Sequence, residues 1–115
     1  MDLQIEIATN DYNLVLDLMN AKESRVGTTN SISSDITLQL EQRLFESIGT
    51  PDIINLTVSI GRDTAINLFS TWLYDKLKGK ASKLKINGTA IEIGEKEINK
   101  TIEAKITSTA RIKQQ

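Results

Sequence analysis

The 115-residue chain has no cysteine, no histidine, a single proline and an aromatic fraction of only 4%. Each scarcity closes off a class of chemistry. Without cysteine there are no disulfides, thiolate metal sites or cysteine nucleophiles. Without histidine the commonest general base, the Ser-His-Asp arrangement and imidazole metal ligation are excluded together. The acids are scattered, with neither a D-x-D pair nor calcium-loop spacing. No enzyme, cofactor or metal site is expected. No apolar run approaches the roughly 20 residues of a membrane helix, and the amino terminus lacks a basic region followed by a hydrophobic segment. The expectation is a cytoplasmic protein with no membrane contact, in which the Asn-X-Thr triplets at Asn55, Asn87 and Asn99 are chance matches.

What is present describes an ordinary globular domain. With 39% hydrophobic and 25% charged residues, the chain suffices for one core spanning residues 1–115. The net charge of -1 conceals an asymmetry. Through Thr57 there are nine acids and three bases, or -6; from Val58 there are eleven bases and six acids, or +5. Such a split suits either a nucleic-acid surface or head-to-tail association of opposite ends.

"LQIEIAT" alternates Leu3, Ile5 and Ile7 with polar residues, the period of a half-buried strand. Asn10 or Asp11 then caps a predicted helix to about Lys22, with Tyr12, Val15, Leu16 and Met19 at helical spacing. Residues 23–34, "ESRVGTTNSISS", have no apolar period and read as a flexible loop. "SDITLQLEQRLFESIG" fits a strand through Ile36, Leu38 and Leu40, or a helix through Ile36, Leu40, Leu44 and Ile48. Its length, Ser34 or Asp35 as a cap, and Gly49 with Pro51 as stops favour the helix over 35–48. Ile54, Leu56, Val58 and Ile60 predict a strand, with a helix as the second choice.

After Gly61 the period changes. Ala65, Ile66, Phe69, Trp72, Leu73 and Leu77 form a broad helical stripe that places the only tryptophan in the core, and Gly79 sits where a C-terminal glycine would. Strand, glycine and helix is also the order of phosphate-binding turns, and Arg62 would add a bidentate donor. Only one glycine is present, however, and Asp63 would compete for the same N–H groups, so a structural corner is favoured. Any contact made by Arg62 is expected to be with an acidic group on a partner protein.

In "SKLKINGTAIEI", Asn87 and Gly88 suit a type I′ turn, which sets Leu84 opposite Ile91 and Lys83 opposite Glu92. Ile98, Ile102 and Ile106 predict a terminal helix, with 111–115 as a frayed tail. Lys76, Lys78, Lys80, Lys83 and Lys85 lie close to Trp72 and Tyr74, as a phosphate-tracking surface with a stacking platform would require. The competing reading is that these lysines cap a helix and guard an edge hairpin.

The order of parts over residues 52–93, an apolar stretch ending at Ile60 and Gly61, a helix ending in Trp72 and Leu73, a basic segment from Lys76 to Lys80, and a hairpin closed by Asn87 and Gly88, resembles the effector-associated constant component family of bacterial conflict systems. The opening "LQIEIATNDYNLVLDLM" agrees with it. The resemblance implies a non-catalytic accessory module that docks on an effector such as a protease or a nucleotide-dependent switch, in antiviral defence, and it supplies no catalytic residues.

Together these readings predict a compact α+β domain: about four strands in a mixed or mostly antiparallel sheet, with three to four helices on one face. The expected function is protein–protein interaction, with Arg62, Lys83, Lys85 and Glu92 as partner-binding residues and self-association through an exposed hairpin edge as one possibility. The alternative is a small phage or mobile-element protein that binds nucleic acid or inhibits a nucleic-acid enzyme.

Overall fold

Asp2–Thr9 forms β1, and its alternation is realised through Ile7: Leu3, Ile5 and Ile7 are buried, Gln4 is exposed and Glu6 half-buried, while Ala8 is buried on the other face. The computed structural model describes residues 1–23, 25–44 and 50–113, the last eight by their backbone alone. After β1 come α1 (Leu14–Met19), β2 (Thr29–Ser33), β3 (Ile36–Leu44), β4 (Asp52–Ile60), a 3-10 turn (Asp63–Ala65), α2 (Ile66–Leu77), β5 (Ala81–Ile86), β6 (Thr89–Ile91) and α3 (Glu95–Lys113).

The strands form one sheet in the order β2-β3-β4-β1-β5-β6, and every pairing is antiparallel. Register aligns the apolar residues into rows across it. Leu40 faces Leu56, Leu56 faces Ile5 and Ile5 faces Ile86; Ile54, Ile7 and Leu84 form the next row, ending at Ile91. This face is covered by Leu14, Leu18, Phe69, Leu73, Leu77, Ile98 and Ile102 from the three helices, in a single apolar cluster. The opposite face carries Gln4, Glu6, Asn55, Thr57, Ser59, Lys83 and Lys85. Its pairs include Asn55 Nδ2 donating to Gln42 Oε1 at 3.3 Å and Ser59 Oγ donating to Asp2 Oδ1 at 2.9 Å.

The α+β class holds, but among the described residues the sheet has six strands, not about four. The two extra strands lie where a loop and a helix were expected. β2 contains one aliphatic residue, Ile32, in "TNSIS", too little to show a period; its Asn30 Nδ2 donates to Leu18 O at 2.9 Å, which ties it to α1. β3 misleads for a different reason. A bulge at Glu41 shifts the register so that Gln42 faces Asn55 and Leu44 faces Ile53 on the open face. Leu44 therefore stands four residues from Leu40, as in a helix, yet points to the other side of the sheet. The part of the expected helix at 45–48 lies outside the described residues.

Other local expectations are adjusted. α1 is shorter than predicted, and Asp11 acts one turn ahead of it, its Oδ1 accepting from Asn13 N–H at 2.9 Å. Tyr12 is exposed rather than part of the apolar stripe. In α2 the core aromatic is Phe69, fully buried, with Trp72 half-buried beside it at a centroid distance of 6.1 Å. The terminal helix is present: Ile98 and Ile102 are buried, its backbone is helical to Lys113, and 114–115 and the Ile106 side chain lie outside what is described.

The two punctuating glycines differ in kind. Asn87 (φ 50) and Gly88 (φ 83) take the positive angles of the expected turn. Gly61 has no positive φ, and a Cβ there would meet only ordinary contacts, the nearest being Asp35 Oδ1 at 3.6 Å. Gly61→Ala should therefore be neutral or stabilising by up to about 1 kcal/mol, through a less flexible unfolded chain. Gly88→Ala should cost about 1 kcal/mol or more. Urea denaturation of both variants checks the contrast.

Candidate interaction surface

In the β5–β6 hairpin, Lys83 and Lys85 lie on β5 and Glu92 directly follows β6; Leu84 faces Ile91 as expected, and the expected Lys83–Glu92 pair falls one step beyond the end of the ladder. The turn that closes this hairpin is anchored to the centre of the sheet. Asn87 N–H donates to Gln4 O, and Gln4 N–H donates to Asn87 Oδ1, each at 2.7 Å. Lys85 faces Glu6 on β1, with Nζ 3.5 Å from Oε2. Among the described residues no ion pair engages Lys83 or Glu92. A shallow groove at the hairpin is lined by Ser82, Lys83, Leu84, Lys85, Ala90, Ile91, Glu92 and Ile93.

Arg62 stands elsewhere, at the corner after β4. Its Nε is 3.6 Å from Asp35 Oδ1, and Gly61 N–H donates to Asp35 O at 2.7 Å. Asp35, a candidate helix cap from sequence, instead occupies the β2–β3 turn and latches that turn to the corner. The backbone after Arg62 enters a 3-10 turn with Asp63 in it, so the helix proper starts at Ile66. Arg62 thus does meet an acid, but one of its own chain, in a pair exposed enough to contribute little.

The lysine cluster is mostly engaged. Lys76 Nζ lies 2.8 Å from Asp17 Oδ1 and 6.0 Å from the Trp72 ring centroid; Lys80 reaches the other Asp17 oxygen at 3.7 Å. Lys78 lies 3.6 Å from Asp75 and 5.7 Å from the Tyr74 ring. Trp72, flanked by Phe69 and Lys76, is not a bare stacking platform. The acidic partners of this surface, Glu6, Asp17 and Asp35, were invisible in sequence because cross-strand and helix–helix neighbours depend on register; the one available signal was the opposite charge of the two halves.

At the far end of the sheet, Arg43 and Asp52 form a nearly buried pair at 3.4 Å, with Arg43 Nη2 also donating to Tyr12 O at 3.0 Å. The bulge in β3 makes this contact by turning Arg43 onto the face of Ile54. Among the described residues no cluster of acids could hold a metal ion, and no helix is long and apolar enough to cross a membrane.

No protein family matches the chain, and no curated protein or solved structure is significantly similar to it.

Asp17 has its carboxyl held below the usual value of 3.8, first by the hydrogen bond from Lys76, against a smaller opposing cost of burial, and then by the charges of Lys76 and Lys80. A lowered folded-state pKa contributes stability that is fully present above the unfolded value and lost as pH falls through the folded one. Wild type should therefore exceed Asp17→Asn by about 0.5 kcal/mol at neutral pH, a figure already reduced for exposure. The difference should vanish once the pH drops below the carboxylate range, as read from urea midpoints across a pH series.

Proposed function

We propose that this protein is a non-catalytic interaction module, an adaptor or regulatory component of a bacterial effector system acting in the cytoplasm in antiviral defence. Its docking element is the β5–β6 hairpin. The observation that carries this reading is an end strand, β6, paired on one side only, with Lys83 and Glu92 beside it, two opposite charges that join no ion pair among the described residues. Strand addition at such an edge supplies main-chain hydrogen bonds, and side chains on alternate positions supply selectivity. The resemblance to effector-associated components supports the same role, with an effector such as a protease or NTPase as the partner.

The nucleic-acid alternative rests on the five lysines from Lys76 to Lys85. Four of them, Lys76, Lys78, Lys80 and Lys85, already hold a carboxylate within 3.7 Å. A phosphate would have to displace those acids, which disfavours an extended phosphate-tracking surface.

Affinity purification of the tagged protein from its native host should recover an effector protein, and Lys83→Glu with Lys85→Glu should weaken that association by about tenfold. Recovery of the chain with no effector overturns the reading. In a low-salt titration neither duplex nor single-stranded nucleic acid should bind; micromolar binding abolished by the same double substitution would establish the alternative.

A further inference from the structure

We infer that two copies of this chain pair through β6, antiparallel and edge to edge, about a two-fold axis at Ile91, so that one sheet continues across both. This rests on the interaction-module reading and makes a second copy the occupant of that edge in the absence of the effector.

Hydrogen-bond direction comes first. The two-residue turn joins Ile86 O to Thr89 N–H, so Thr89 and Ile91 direct their backbone groups at β5. By alternation Ala90 directs its own outward, and Glu92, the residue after β6, does the same once the strand continues across the junction. A two-fold at Ile91 sets Ala90 opposite Glu92 of the second copy, and each such pair exchanges both N–H···O bonds. A two-fold at Ala90 also satisfies the alternation, so another term has to choose.

Charge makes the choice. Lys85 faces Ala90 within the hairpin, and the next residue along from Lys85 and Ala90 on the same face is Lys83 or Glu92. With the axis at Ile91, the row across the junction reads Lys85, Ala90, Glu92 of the second copy, Lys83 of the second copy. Each glutamate, in no ion pair among the described residues, then lies between Lys83 of its own copy and Lys85 of the other, which can turn from Glu6, 3.5 Å away, across the short Ala90 side chain to reach it. With the axis at Ala90, the row becomes Lys85, Ala90, Ala90, Lys85, with like charges converging across it and Glu92 facing a glycine. Opposite charges on facing positions stabilise a sheet and like charges destabilise it.

Packing agrees. On the core side Ile91 meets its own copy at a non-hydrogen-bonded position, where backbones approach to about 4.5 Å. Ile91 and Ile93, each half-buried at the rim of the apolar cluster, are sealed by the junction. The other edge does not offer this. β2 is polar and its register is broken between Ser31 and Ser33, which interrupts a ladder.

The test is sedimentation equilibrium of the full chain over a concentration series. Wild type should dimerise. Ala90→Pro should weaken dimerisation at least about tenfold, while its melting temperature and circular dichroism stay near wild type, because the lost N–H points away from β5 and takes no part in the hairpin ladder. Glu92→Lys and Lys85→Glu should each fail to dimerise alone and should associate when mixed, since the mixture restores an opposite charge in both rows. A wild-type monomer at all concentrations, an Ala90→Pro dimer as tight as wild type, or a mixture no tighter than its components overturns the inference. A wild-type monomer that still recovers an effector leaves the docking reading standing without the dimer; a monomer that recovers none removes both.

Discussion

The register of β1 between β4 and β5 is the constraint on which the remaining structure depends. Because side chains alternate strictly along a strand, the pairing of Ile5 with Leu56 on one side and with Ile86 on the other aligns the buried Leu, Ile and Val residues of three strands on one face. A slip of one residue would turn Leu3, Ile5 and Ile7 to water together. Once that face is apolar the helices have one side on which to pack. α1, α2 and α3 gather there, and the opposite face becomes a solvated lattice of Asn, Gln, Thr, Ser and charged side chains.

The same topology redistributes charge. The acidic first half supplies β1, α1 and the β2–β3 turn, and the basic second half supplies the corner, α2 and β5, which pack against them. Asp17 meets Lys76 and Lys80, Glu6 meets Lys85, and Asp35 meets Arg62. The opposed ends of the sequence thus meet inside one molecule. Four of the five lysines that suggested a nucleic-acid surface are matched there; Lys83 of that cluster, and Glu92 on the same one-sided hairpin, join no ion pair among the described residues. A surface of that kind selects a partner by register and by the position of a few charges more readily than by long-range attraction.

Gly61 illustrates how a motif changes meaning in context. Strand, glycine and helix is in sequence the order of an anion-binding turn, but the backbone passes through Arg62 in an extended conformation and a short 3-10 turn before α2 begins. The N–H of Gly61 is already bonded to Asp35. The corner holds the β2–β3 hairpin in place, and the glycine there is conformationally unremarkable beside Asn87 and Gly88, whose positive angles close the β5–β6 hairpin.

Where local period and turn chemistry were strong, the sequence alone determined the outcome: β1, β4, the α2 stripe, the Asn87–Gly88 hairpin with Leu84 facing Ile91, and the buried Ile98 and Ile102. These follow from alternation, helical spacing and the few residues that accept positive φ, all of which operate within a few residues of chain. The tertiary structure decided the rest. β2 is a strand because β3 offers it a ladder, not because "TNSIS" has a pattern of its own. β3 is a strand because β4 pairs with it, and the bulge that brings Arg43 to Asp52 also disguised its period. The carboxylate partners of the lysines, and hence which charges remain open on the hairpin, are likewise set by register between segments up to 79 residues apart, as with Glu6 and Lys85. Such contacts carry no local signature, since the interaction that fixes them does not exist until the sheet has formed.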